Sequence, residues 1–378
     1  MSDLPLHAIR ILDLSRLLPG PYATLILAEL GAEVLKIEEP PQGDPLRYRP
    51  IAGPSTHHTL FDLLNRGKKS ITLNLKTEEG RAILLALTQR ADVLLEGYRP
   101  GVMQRLGLAY ATLTEVNPGL IYASLSGYGQ TGPYRTRAGH DLNYIALGGL
   151  LGITGAPDDG PAIPGVPVAD LTAALWAALG IMAALCERQR TGHGQYLDIS
   201  MLDSVTSLLA VPLAAWLGTG RAPQRGQLPL SGQWACYNVY RTADNGYMTL
   251  AALEPHFWRA FCLAVGREDW LPRQNDADQA GLSAEIAALF RTQPRAYWEK
   301  LFAAHDCACE PVLALDEVFA HPQAQARGLL ADGALPLPIG RRALHAHAPA
   351  LGQHTAEILA ELGYSAQDTQ RLKEQGVV

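Results

Sequence analysis

An imidazole and a carboxylate, His140 and Asp170, stand out in this 378-residue sequence because neither has metal-ligand spacing around it. Two bases without a metal point to proton traffic. Asp170 falls in Pro167-Val168-Ala169-Asp170-Leu171-Thr172-Ala173-Ala174-Leu175-Trp176, where an acid directly precedes an apolar helix-forming run. It therefore reads as an N-cap or first-turn residue, and the helix dipole would favour its ionised form. His140 sits in Ala138-Gly139-His140-Asp141-Leu142-Asn143-Tyr144, a short polar stretch entering another apolar run, as expected at the mouth of a helix. Taken singly, each residue reads equally well as a cap or a structural side chain.

The elements that must position these groups form an α/β pattern. Ile9 to Leu14 and Glu33 to Ile37 are β-like runs separated by Pro19-Gly20-Pro21 and an Ala/Leu-rich helix, the strand, turn, helix, strand rhythm of a Rossmann-like unit. No G-x-G-x-x-G follows the first strand, which argues against a dinucleotide. Ser70 to Leu75, Asp92 to Glu96 and Leu120 to Ser126 extend a parallel sheet, with Thr77 to Ala91 as an amphipathic helix. Asp170 to Gln189 is a further helix, closed by Thr191-Gly192-His193-Gly194. From Gly218 to Gly232 the chain is rich in Gly, Pro, Gln and Arg, which marks a boundary. Tyr237 to Tyr240 and Tyr247 to Ala251 read as a hairpin around Ala243-Asp244-Asn245-Gly246. The expected organisation is a large Rossmann-like domain from 1–200 and 315–378, a linker at 201–230, and a smaller α+β domain at 231–314.

Composition narrows the class. With 48% hydrophobic and 18% charged residues the chain suits a globular protein with a large core. A formal net charge of -6 argues against nucleic acid as a partner. The N-terminus lacks a basic, apolar leader, so a cytoplasmic location is expected. The longest apolar run, near Leu171 to Leu185, is expected to stop short of the ~20 residues that cross a bilayer, and no membrane association is expected. Five cysteines, Cys186, Cys236, Cys262, Cys307 and Cys309, show neither a disulfide framework nor zinc spacing, and no metal is expected.

Several segments resemble family III CoA-transferases, a superfamily that includes the alpha-methylacyl-CoA racemases. They are Ile11-Leu12-Asp13-Leu14-Ser15-Arg16-Leu17-Leu18-Pro19-Gly20-Pro21-Tyr22-Ala23, Leu30-Gly31-Ala32-Glu33-Val34-Leu35-Lys36-Ile37-Glu38, Asn65-Arg66-Gly67-Lys68-Lys69-Ser70, Leu94-Leu95-Glu96-Gly97-Tyr98-Arg99-Pro100-Gly101 and Ser126-Gly127-Tyr128-Gly129-Gln130. Gly139-His140-Asp141-Leu142-Asn143-Tyr144 and Glu254-Pro255 resemble the racemase branch most. By that resemblance His140, Asp170 and Glu254 occupy the catalytic positions. At Leu230-Ser231-Gly232-Gln233-Trp234 the chain departs from the Asp-Gly-Gly of the racemases.

The resemblance implies an acyl-CoA substrate, no cofactor beyond the CoA that the substrate carries, and an intertwined homodimer. CoA phosphates need a few local cations, and the resemblance assigns Arg66, Lys68 and Arg99 to them, with Arg137 in the same loop-like half. Where racemases often cover the adenine with Arg, this chain has Glu39. Racemisation needs a base on each face of the acidic alpha carbon, which His140 and Asp170 would supply. The backbone N–H of Asp141 at a helix start would bind the enolate oxygen, and Glu254 would hold His140 in one tautomer. The other reading is a CoA-transferase in which Asp170 attacks the thioester and carries acyl and then CoA.

Overall fold

The computed structural model describes residues 4–48, 60–157, 159–329, 337–338 and 347–378. Two compact units divide the chain. Met1–Leu150, Pro164–Leu208 and Leu330–Val378 form the first, and Leu151–Ile163 with Leu209–Leu329 the second.

Six short strands build the first unit: β1 (Arg10–Leu14), β2 (Glu33–Glu38), β3 (Lys69–Thr72), β4 (Val93–Glu96), β5 (Ile121–Ser126) and β6 (Tyr196–Ser200). They pair in parallel in the order β3-β2-β1-β4-β5-β6, with Leu12 opposite Leu35 on one side and Leu94 on the other. Both faces are covered, so the strands read as continuous apolar runs. Val34, Val93, Leu95 and Ile121 belong to one core, and Leu12, Leu35, Leu94 and Tyr122 to the other. The strand order reverses between β1 and β4, the switch point at which open α/β sheets bind ligands outside the carboxyl ends of their strands.

Helices α1 (Pro19–Glu29) and α2 (Glu78–Thr88) cover opposite faces. Pro19 opens α1, where its missing N–H costs nothing. Gly20 is required there, because a Cβ would collide with Ser15. Thr77 caps α2 by accepting the Gly80 N–H at 3.1 Å. Helix α3 (Asp141–Leu147) follows β5 after a long loop, and α4 (Val168–Thr191) precedes β6. Ala169, Ala173, Ala177, Ile181 and Ala184 of α4 are buried at helical spacing, and small side chains let it pack closely on α1 and the sheet. Gly192 at φ 74° ends it, its N–H returning to the Arg188 carbonyl at 2.7 Å.

Two expectations are corrected here. The apolar run in α4 is not too short: the helix has 24 residues and is long and apolar enough to cross a membrane, although 44% of its apolar window is buried within the protein. The supposed linker at 201–230 contains two helices, α5 (Met201–Thr206) in the first unit and α6 (Ala210–Thr219) in the second. The Gly- and Pro-rich composition that suggested a linker begins only where α6 ends, at Gly220.

The second unit carries the antiparallel sheet β7 (Tyr237–Arg241), β8 (Tyr247–Ala251) and β9 (Cys309–Pro311) in that order. Helix α7 (Pro255–Ala264) follows β8. Its core is aromatic: Trp258, Phe261, Trp270, Phe290, Trp298 and Phe302 pack together, and the Trp258 indole donates to the Trp270 carbonyl at 3.2 Å. All five cysteines are free thiols, four of them buried in this unit.

Candidate active site

A cavity of about 300 Å³ opens in the first unit. Its walls come from Ser15, Arg16 and Leu17 after β1, Gly97 to Pro100 after β4, and Leu125 to Tyr128 at the end of β5. These are the carboxyl ends of strands flanking the switch point, so the sheet topology itself places the site. Gly139, His140, Tyr144 and Asp170 complete it, together with Arg135 and Arg137.

His140 is the N-cap residue of α3 and is exposed. Its own N–H donates to Asn143 Oδ1 at 3.0 Å, which fixes the entry of the chain into the helix. Asp170 lies at the third position of α4 and is partly buried. Burial and then the neighbouring Asp141 push its carboxyl up to about 7. The sequence places Asp170 correctly in the first turn, but the expectation that the dipole keeps it ionised is corrected. A helix end contributes at most about 2 kcal/mol in favourable geometry. Taking a carboxylate out of water beside another acid outweighs that here.

Asp141 stands between the two elements. Its backbone N–H, at the first position of α3, is among the donors that a helix leaves unsatisfied. Its Oδ1 reaches across to the start of α4, accepting the Ala169 N–H at 2.7 Å. Proline precedes Val168 and supplies no side-chain cap, so the capping oxygen comes from another helix.

Four guanidinium groups line the cavity: Arg16, Arg99, Arg135 and Arg137, all exposed. Arg16 lies over the Tyr98 ring and Arg137 over the Tyr134 ring, 4.1 Å from its centroid. Arg16 was not singled out from sequence, although its place just after the first strand was the available signal. Glu96, also unremarked, is buried beneath the cavity rim and accepts the Tyr98 N–H at 2.7 Å, which holds the turn that presents Arg99. Burial pushes its carboxyl up to about 7.

Arg66 and Lys68 are buried. Arg66 is buried against Glu29 and donates to the Leu63 carbonyl at 2.9 Å. The Lys68 side chain is fully buried, its ammonium bonded to Thr24 Oγ1 at 2.8 Å, Asn65 Oδ1 at 2.9 Å, the Pro21 carbonyl at 3.0 Å and Asp13 Oδ2 at 3.3 Å. Burial brings it down to about 8 despite Asp13. Both cations are held by interior partners, and neither lines the cavity. Glu39 pairs with Lys76 at 2.6 Å on the surface. Glu254 belongs to the second unit, where it is the exposed N-cap residue of α7 and makes no capping bond.

Comparison with known proteins settles the family. The sequence profile of CoA-transferase family III matches residues 6–361. The chain belongs to CoA-transferase family III. Human alpha-methylacyl-CoA racemase is 35% identical, covering 99% of this chain and 97% of its own length. The acetyl-CoA:oxalate CoA-transferase of Acetobacter aceti is 37% identical, covering 86% of this chain and 85% of its own. A CAIB/BAIF family protein from Brucella suis has the same fold, with a TM-score of 0.84 at 32% identity, over 96% of this chain and 100% of that one. Racemase and transferase names thus stand at similar identity within family III, and both chemistries act on acyl-CoA thioesters.

Proposed function

We propose that this chain is a 2-methylacyl-CoA racemase that interconverts R and S thioesters by two-base proton transfer through an enolate. The observation that carries the reading is that His140 and Asp170, from two different helices, line one cavity with Asp170 pushed up to about 7. An acid that must both give and take a proton works best near ambient pH. An ordinary aspartate lies about 3 pH units below neutrality, a penalty of about 4 kcal/mol for each protonated visit. Burial beside Asp141 removes most of that penalty.

In this reading Arg99 and Arg137, with Arg16 and Arg135, hold the CoA phosphates. The thioester oxygen accepts the Asp141 N–H, which stabilises the enolate as charge develops. His140 takes the alpha proton from one face and Asp170 returns one to the other. Glu254 keeps the orienting role that the family resemblance gives it. The working unit is a homodimer: Leu175, Leu179 and Met182 form an exposed apolar flank on α4, with Trp176 beside them.

A second reading is supported by the transferase names among the relatives. There Asp170 is the nucleophile, forming an acyl anhydride and then an aspartyl-CoA thioester. The deciding experiment incubates the protein with a 2-methylacyl-CoA in deuterated water. Alpha-proton exchange without an acceptor acid supports the racemase; CoA transfer that requires an acceptor, with no exchange, rejects it.

A further inference from the structure

Tyr144 is nearly fully buried on α3, one turn past His140, yet it forms part of the cavity wall. Its hydroxyl donates to the Gly139 carbonyl at 2.6 Å, the peptide that immediately precedes His140. Its ring occupies the space left by two glycines at opposite ends of the loop between β5 and α3. A Cβ on Gly127 would lie 2.6 Å from Tyr144 Cε1, and one on Gly139 would lie 2.7 Å from the same atom. Neither glycine has positive φ, so close approach to this ring is what requires them. The Tyr128 ring meets Tyr144 edge-on at 5.1 Å and Tyr134 edge-on at 5.6 Å, and Arg137 lies over Tyr134. A continuous series of contacts therefore runs from a cavity arginine to the peptide that carries His140.

We propose that Tyr144 is a positioning residue which, through its hydroxyl, fixes the Gly139 peptide and so aims the His140 imidazole at the alpha carbon. The inference deepens the racemase reading and rests on it for its kinetic consequence. Tyr144 itself is not the proton carrier, because its one proton is committed to the Gly139 carbonyl. Burial, with the nearby Asp170 and Tyr128, pushes the phenol up to about 12, so the donor persists across the working pH range. Without the hydroxyl the ring still fills the space between the glycines, but the Gly139 peptide loses its anchor. His140 then samples orientations that Asp170, held on α4, does not.

The test is Tyr144→Phe, which keeps the ring, with deuterium exchange followed separately for each enantiomer of a 2-methylacyl-CoA. His140→Ala first identifies which enantiomer presents its proton to the imidazole. Tyr144→Phe should slow that enantiomer about ten-fold, the consequence of one hydrogen bond worth about 1 kcal/mol or slightly more. The other enantiomer should change less than about two-fold, and the dissociation constant of free CoA should stay the same. Equal losses on both faces would show a general structural role, and no loss on either face would show that the hydroxyl is dispensable; both overturn the proposal. If the wild-type protein exchanges neither enantiomer, the racemase reading fails, and Tyr144 is judged instead by the imidazole nitrogen resonances of His140. Tyr144→Phe should then shift or broaden the His140 signals while those of His193 stay fixed. Unaltered His140 signals overturn the proposal independently of the reaction.

Discussion

The Asp141 carboxylate accepts the backbone N–H of Asp170 at 3.1 Å, so one acid caps the helix on which the other is carried. The same oxygen also binds Ala169, and its charge helps hold the Asp170 carboxyl up. One side chain thus fixes the place of the Asp170 carboxyl and adds to the burial that raises it. Capping and charge are separable by substitution. Asp141→Asn keeps an accepting oxygen but removes the charge, so Asp170 should titrate at lower pH while the melting temperature changes little. Asp141→Ala also removes the cap and should cost about 0.5–2 kcal/mol. Titration of Asp170 by carboxyl-carbon NMR, with thermal melts of both variants, checks the pair; an unmoved Asp170 in Asp141→Asn contradicts the charge argument.

In the proposed racemase, His140→Ala leaves Asp170 as the remaining base. Exchange from the enantiomer that faces Asp170 requires the ionised carboxylate, so its rate should rise with pH and level off above about 7. Net racemisation should fall at least about 100-fold. A rate independent of pH between 5 and 9 would remove Asp170 from the proton transfer.

Asp170 also bears on stability, and the sign follows from its raised value. The folded protein holds a proton there that the unfolded chain loses near pH 4, so stability declines as pH rises from about 4 to about 7 and stays lower above. The full shift corresponds to a ceiling of about 4 kcal/mol. Partial access of solvent to the cavity reduces that, and a gain of about 1–2 kcal/mol is expected for Asp170→Asn at pH 8. Urea unfolding at pH 8 and pH 4.5 measures it: the variant should be more stable than wild type at the higher pH and about equal at the lower. Equal effects at both would show that the carboxyl titrates normally.

The cations divide into two kinds with opposite phenotypes. Arg99→Ala or Arg137→Ala should weaken free CoA binding and reduce its salt dependence, with little change in melting temperature. Arg66→Ala leaves Glu29 buried and alone and should cost about 3–5 kcal/mol of stability. Calorimetric titration of CoA at 20 mM and 300 mM salt, beside thermal melts, separates them. Loss of CoA affinity without loss of stability in Arg66→Ala would return that residue to the phosphates.

The sequence carried the sheet well, because apolar runs such as Val93 to Leu95 are short and continuous, with Gly97 and Pro100 soon after. It also carried the local setting of His140 and Asp170, since an N-cap position and a first-turn position are properties of a few neighbouring residues. Strand β6 escaped notice because its exposed Tyr196 and polar Asp198 break the apolar run. The burial of Arg66 and Lys68 was hidden for a related reason. A basic residue in a loop reads as surface, and nothing local reveals that Glu29 and Asp13, 37 and 55 residues away, wait inside to neutralise it. The raised proton affinity of Asp170 was equally invisible, since it comes first from burial in the folded chain and then from Asp141, 29 residues earlier.

At about 1.5 Å per residue, the 24 residues of α4 make a rod about 36 Å long with Asp170 in its first turn. The buried alanine side of that rod is seated on α1 and the sheet, while Leu175, Leu179 and Met182 lie along its open side. A stiff lever transmits what is done to its flank. If the proposed homodimer grips the open side, it also restrains the carboxylate at the tip, and dilution alone should act as a brake on the turnover of each molecule.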